Sequence, residues 1–171
     1  MEERAPKTAR VLAVDPGYDR IGFAVLEKRM GQSREQVLYS NCFTTNKEDP
    51  FPTRLVYVGN KFLRLIQSYA PDRVALEKLY VAVNQKTAMA VSEVRGVLIY
   101  LATAEEIPLI EYTPLEVKSA ITSDGHADKR QVMAMVPKLV ELKDTPRYDD
   151  EYDAIAVGIT ALARWAEYPS T

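Results

Sequence analysis

The stretch Arg10-Val11-Leu12-Ala13-Val14-Asp15-Pro16-Gly17 constrains this chain more than any other. Residues 11–14 are an uninterrupted apolar run, the pattern of a strand covered on both faces, and Pro16-Gly17 stops it abruptly. Asp15 is thereby delivered to the carboxyl end of a buried strand. Residues 21–26 form a second apolar run, which predicts an antiparallel hairpin. Val37, Tyr39 and Phe43 mark a third strand over 36–44, with the turn at 30–34. Taken alone, Asp-Pro-Gly also fits an ordinary turn.

From Thr53 the apolar period changes. Leu55, Val58, Phe62, Leu65, Ile66 and Tyr69 fall at helical spacing, Asn60, Lys61, Arg64 and Gln67 take the other side, and Pro71 ends the run. A helix is expected over 53–69. Residues 73–76 then form a short apolar strand that ends, like the first, in a carboxylate, Glu77. A strand-helix-strand order implies a right-handed crossover to a parallel neighbour. If that neighbour is the first strand, Asp15 and Glu77 emerge side by side.

A long helix is expected over 85–104, capped by Asn84 and carrying the stripe Ala88, Val91, Arg95, Leu98, Ile99 and Ala102. Ala90, Ser92 and Gly96 make part of its surface small, which permits close packing against a second copy of the chain or only against its own sheet. Both readings stay open on the sequence. A fifth strand is expected over 108–111, and Thr113-Pro114-Leu115-Glu116 is a capping box that opens a helix to about residue 121. A further helix from Asp128 should kink or break at Pro137, which costs roughly 3 kcal/mol in a helix interior. The last helix runs from Asp149 or Asp150 to Glu167. One domain over 10–167 is expected, with short tails at 1–9 and 168–171.

Composition limits the function. At 171 residues the chain suits one domain with a full core. No apolar run approaches the roughly 18 residues of a membrane span, and the charged start is no signal peptide, so a cytoplasmic protein is expected. The single Cys42 excludes an internal disulfide and is expected to be a small buried hydrophobe without chemistry. A net charge of -2 has the wrong sign for a nucleic-acid partner and needs an explanation.

That explanation begins at Asp149-Asp150-Glu151-Tyr152-Asp153. Acidic residues suit a helix start, but Asp150 and Asp153 are three apart and share one face, and Asp153 leads into the apolar run Ala154-Ile155-Ala156-Val157. With Asp15 and Glu77 they make a cluster of four carboxylates, to which this reading assigns no basic counter-ion. Divalent cations would relieve the repulsion. Oxygen-only donors select hard ions, Mg²⁺ or Mn²⁺, and the absence of Cys/His spacing argues against zinc. Two such ions can assist phosphodiester hydrolysis, so the cluster reads as a nuclease site.

Asp15-Pro16-Gly17 with Gly22, Val74-Ala75-Leu76-Glu77, and Asp150-x-x-Asp153-Ala154 closely resemble the three acidic motifs of RuvC, the bacterial Holliday junction resolvase family of the RNase H-like superfamily. The resemblance extends over about residues 10–162 and includes Pro71-Asp72, Ala82-x-Asn84, Arg95-Gly96-Val97, Val117-Lys118 and Lys129-x-Gln131-Val132. It implies an α/β fold with a mixed five-stranded sheet, three antiparallel strands then parallel ones, flanked by helices. It also implies metal-binding catalytic carboxylates at Asp15, Glu77, Asp150 and Asp153, two Mg²⁺ or Mn²⁺ ions per site, and a homodimer that resolves four-way DNA junctions by paired symmetric nicks. The nicks would leave 5′-phosphate and 3′-hydroxyl ends. Lys118 and Lys129 match the family's basic residues near the scissile phosphate, and Tyr80 matches an aromatic that stacks on a junction base. Read by themselves, Lys118 fits a solvated surface lysine better than a functional one, and 125–129 fit equally a loop and cap or a loop that presents Lys129 to a phosphate; His126 is taken as a loop residue. Branch-migration partners of the RuvA and RuvB type follow from the resemblance only.

Tyr18 and Lys78 depart from the family's usual residues, and neither removes a ligand. Two divalent ions would shift the formal charge from -2 to about +2, which answers part of the charge problem. The rivals are a monomeric RNase H-like nuclease acting on branched or hybrid nucleic acid, a junction-binding protein that does not cut, and an actin-like sugar kinase or ATPase, for which 171 residues are too few.

Overall fold

The apolar run around Val11 forms β1 (Thr8–Asp15), the centre of a mixed sheet in a computed structural model that describes residues 8–29, 31–79, 85–146 and 148–167. β2 (Arg20–Arg29) and β3 (Glu35–Thr44) follow in antiparallel order, as the hairpin pattern predicts. β4 (Arg73–Glu77) pairs in parallel with β1, and β5 (Leu109–Tyr112) in parallel with β4. Among the described residues the sheet has six strands in the order β5-β4-β1-β2-β3-β6, not the expected five, because β6 (Val140–Glu141) adds to β3. Two residues are too few to show any alternation, which is why β6 is invisible in the sequence. Thr8 and Ala9 pair with Arg29 and Lys28, so they belong to the strand and not to a tail. The rest of the expected tails, 1–7 and 168–171, lies outside the described residues.

The two-residue period of the strands sorts their side chains onto two faces. Leu12, Val14, Phe23, Val25, Val74 and Leu76 pack with Phe62 and Leu98 beneath α1 (Phe51–Tyr69) and α2 (Gln85–Ala104). Val11, Ala13, Ala24, Leu26 and Ala75 pack on the other face with α3 (Pro114–Thr122), α4 (Lys129–Leu139) and α5 (Asp149–Ala163). The second face is built from smaller residues, so α5 lies close across β1 and β2. Gly22 is the limiting contact, since a Cβ there would overlap the carbonyl oxygen of Asp150 and come within 3.1 Å of Ala154 Cβ.

α1 starts two residues before the expected position, on Phe51-Pro52, where proline suits a first turn. α2 has the expected limits, although its cap, Asn84, lies outside the described residues. Contrary to the expectation of no span-length apolar run, Thr87–Ala104 is long and apolar enough to cross a membrane. In this fold it lies on the sheet instead: Val91, Val94, Leu98 and Ala102 are buried, and Arg95 donates to the Glu77 carbonyl and the Glu111 carboxylate. α4 runs through Pro137 without a break and ends two residues later. Near a helix end proline removes one of the last intrahelical bonds, while its own carbonyl and that of Val140 accept from Arg34 at 2.7 and 3.1 Å. α5 stops at Ala163, before the expected Glu167, and Trp165–Glu167 form a single 3-10 turn.

The capping box at α3 forms as expected. Glu116 accepts from the Thr113 amide and hydroxyl, both at 2.8 Å, and Arg164 of the α5 end donates to it at 2.8 Å. The Thr113 amide bond, followed by Arg164, draws the Glu116 carboxyl down to about 2. A depressed folded-state value contributes stability above the unfolded value near 4.5, and that contribution disappears as pH falls toward 2. With a side chain 34% exposed, Glu116→Gln should cost about 1 kcal/mol at pH 7 after allowance for solvent screening. Urea titrations should show the gap between the two proteins narrowing below pH 4.5 and nearly closed by about pH 2.5.

Candidate active site

Asp15 and Glu77 are adjacent because β1 and β4 run parallel with Val14 opposite Leu76. The strand period also fixes their side. Asp15 follows Val11 and Ala13, and Glu77 follows Ala75, so both carboxylates point toward α5. α5 then contributes Asp153, one turn in from its start. The three carboxylates line a cleft of about 440 Å³, together with Lys118 of α3 and Lys129 of α4 and walled by Pro114, Val117, Val132 and Ala156. The fold thus gathers five of the seven residues singled out in the sequence.

The apolar walls and mutual repulsion make this an expensive place for negative charge. Asp15 is raised well above the usual carboxylate range, first by burial and then by Glu77, Asp153 and Asp150. Burial and Asp153 push Glu77 up to about 7, against the opposing pull of Lys129 and Lys118. Asp153 is also raised, chiefly by burial, although Lys129 donates to it.

Two cations neutralise part of the cluster, contrary to the reading that gave it no basic counter-ion. Lys129 Nζ sits 2.9 Å from both Asp149 Oδ2 and Asp153 Oδ2. Burial works against its charge, but those two hydrogen bonds prevail and hold Lys129 above its ordinary value, while the same contact draws Asp149 down to about 2. Arg20, the first residue of β2, places Nε 3.1 Å from Asp150 Oδ2 and Nη2 3.5 Å from Asp149 Oδ1. Asp150 is accordingly absent from the cleft lining. Cys42 is buried as expected, and its thiol donates to Asp150 Oδ2 at 3.7 Å; burial followed by that carboxylate raises the thiol to about 11, which keeps it protonated and unreactive.

Sequence reasoning missed Arg20 and Asp149. Arg20 stands five residues after Asp15 and two before Gly22, and only the tight turn that returns β2 to β1 brings it to the α5 end. Asp149 carries a local signal, as the first of the acidic run, but its role as a Lys129 partner depends on the packing of α4 on α5. His126 is exposed in its loop, and its amide donates to Asp124. Tyr80 lies outside the described residues.

Among the described residues, no three Asp, Glu, His or Cys side chains are arranged as they stand to hold a metal ion. The donor set nevertheless fits hard divalent cations: it is all carboxylate, desolvated, self-repelling, and already drawing an ammonium onto Asp153.

Comparison with known proteins accords with this geometry. A family profile described as "Crossover junction endodeoxyribonuclease RuvC" matches residues 11–161. RuvC of Petrotoga mobilis is 42% identical over 85% of this chain and 88% of its own length, and that of Thermosipho melanesiensis 42% identical over 86% and 93%. The solved structure of Thermus thermophilus RuvC superposes with a TM-score of 0.84 at 25% identity, over 92% of this chain and 96% of that one. The same protein in complex with a Holliday junction substrate gives 0.83 at 27% identity over the same shares. The yeast mitochondrial Holliday junction resolvase Ydc2 shares the fold, with a TM-score of 0.71 at 16% identity. Because the matched span runs from the strand that carries Asp15 through the helix that carries Asp153, this chain belongs to the RuvC family of crossover junction endodeoxyribonucleases.

Proposed function

We propose that the protein resolves four-way DNA junctions as a homodimer, each protomer hydrolysing one phosphodiester with the help of divalent cations. The observation that carries this reading is the convergence of Asp15, Glu77 and Asp153 with Lys118 and Lys129 in one cleft at the carboxyl ends of β1 and β4. Asp15, Glu77 and Asp153, with Asp150 once its side chain turns inward, are the residues that would hold two Mg²⁺ or Mn²⁺ ions. Bound there, such ions supply Lewis acidity to a water and to the phosphate.

The chain's own contributions follow from the walls of the cleft. Lys118 of α3 and Lys129 of α4 line the same cleft and offer ammonium groups to the phosphate, Lys129 from its place beside Asp149 and Asp153. Val117, Val132 and Ala156 exclude bulk water and strengthen every charge interaction inside. Tyr80, just past Glu77 in sequence, is assigned to stacking on an unpaired base, worth roughly 1 to 3 kcal/mol.

The dimer surface proposed is the groove between α1 and α2. It measures about 590 Å³ and is lined by Leu55, Val56, Gly59, Leu63, Gly96, Val97 and Tyr100, with Tyr100 71% exposed. A two-fold pairing there gives a two-fold junction two equivalent sites. Branch-migration partners of the RuvA and RuvB type, and residence in the cytoplasm with chromosomal DNA, complete the proposal and rest on family membership.

A nicking assay on a synthetic four-way junction and the matching linear duplex, with Mg²⁺, Mn²⁺ or chelator, tests the reading. Paired symmetric nicks confined to the junction and dependent on metal are expected. Equal cutting of the duplex would remove the junction selectivity. Tyr100→Asp should sediment as a monomer and lose the pairing of nicks; a dimeric variant would discard the α1/α2 surface.

A further inference from the structure

We propose that Arg20 is a positioning residue that holds Asp150 outside the cleft and surrenders it when a divalent cation binds. The inference rests on the metal-site reading above and adds to it a competitor built into the turn after Asp15.

The geometry separates Asp150 from its neighbour one turn on. Asp153 lines the cleft, whereas the Asp150 carboxylate is only 18% exposed and engaged elsewhere, by Arg20 Nε at 3.1 Å and the Cys42 thiol at 3.7 Å. Its backbone is packed on the sheet, with the Asp150 carbonyl close enough to Gly22 to forbid a Cβ there. With α5 seated on the sheet, side-chain rotation brings Asp150 to a cation in the cleft. That rotation breaks the Arg20 contact, and of the two donors holding Asp150, Arg20 is the charged one.

The arrangement has a counterpart at Lys129, which holds Asp149 and Asp153 from the other side. Every carboxylate on the α5 first turn that faces the cleft or its rim is thus held by a monovalent cation from another element. Arg20 is suited to exchange. Its side chain is 46% exposed, so the pair is solvent-screened and weak enough for a divalent ion to displace. A guanidinium released from Asp150 stays at the rim of the cleft beside Asp149.

The test uses full-length protein stripped of metal, with Mn²⁺ as the probe, free Mn²⁺ read by its paramagnetic resonance signal and binding also by thermal shift. Arg20→Gln should bind Mn²⁺ about two- to fivefold more tightly than wild type, and Arg20→Lys, which keeps the charge, should stay near wild type. The gain should vanish when Arg20→Gln is combined with Asp150→Asn, as a double-mutant cycle requires of a contact acting through Asp150. Unchanged or weaker Mn²⁺ binding by a folded Arg20→Gln protein would overturn the proposal, as would a gain that persists without Asp150. Asp15→Asn separates the two levels. If it binds Mn²⁺ as well as wild type does, the metal site itself is wrongly placed; if it loses Mn²⁺ while Arg20→Gln matches wild type, only the role of Arg20 falls.

Discussion

Asp15→Asn is expected to lose junction cleavage by at least about a thousandfold while becoming more stable in the absence of metal. The two effects share one cause. Asp15 stands at a strand end where burial and three neighbouring carboxylates, Glu77, Asp153 and Asp150, all oppose its charge. In chelator, asparagine removes that repulsion without changing the shape of the side chain, so the melting temperature should rise by a few degrees. With Mg²⁺ or Mn²⁺ present the order should reverse, since a ligand that binds only the native wild-type site adds stability the variant cannot gain. Junction binding should be retained, because Lys118 and Lys129 are untouched. Scanning calorimetry with and without metal, beside the nicking assay, reads both effects. A variant that cuts normally would falsify the site assignment, and equal stabilisation of both proteins by metal would remove Asp15 from the ligand set.

Gly22→Val should be the most damaging substitution away from the carboxylates. Gly22 pairs with Asp15 in the β1–β2 ladder and faces α5, where any Cβ would overlap the Asp150 carbonyl oxygen. The clash is with backbone, so no rotamer change relieves it, and α5 must lift from the sheet. Overpacking of this kind costs typically 1–3 kcal/mol, and with a backbone obstacle about 3 kcal/mol or more is expected. The lift also carries Asp150 and Asp153 away from Asp15 and Glu77, and a displacement of about 1 Å at a reacting centre can lower turnover about a hundredfold. Cleavage should therefore fall steeply even at low temperature, where the variant is still folded by circular dichroism. A Gly22→Val protein with wild-type melting and cleavage would show that α5 does not sit this close to β2.

Both predictions depend on relations between elements. The placement of Asp15 and Glu77 was legible because each ends an apolar run, and the strand-helix-strand order implied that their strands lie parallel. The same parity of side chains, odd residues toward one face in β1 and β4, directs both toward α5. Asp153 was legible too, since a carboxylate at the edge of a buried helical face has few structural uses. Asp150 was grouped with it by helical spacing, but spacing says only which residues share a face of a free helix. Its rotamer is decided by Arg20 and Cys42, which come from β2 and β3.

Local sequence, then, determined the limits of α2, the capping box of α3, the three antiparallel strands and the position of Asp15 and Glu77 at strand ends, because each depends on the period and chemistry of residues near one another. Tertiary structure alone decided that Pro137 is absorbed near the end of α4, that a sixth strand of two residues joins β3, and that Arg20 and Lys129 act as counter-ions to the acidic cluster. These outcomes turn on contacts between residues far apart in the chain. An apolar period reports which face of an element is buried, but the charges that meet across the buried boundary are set by how closely the elements approach, and here Gly22 sets that distance.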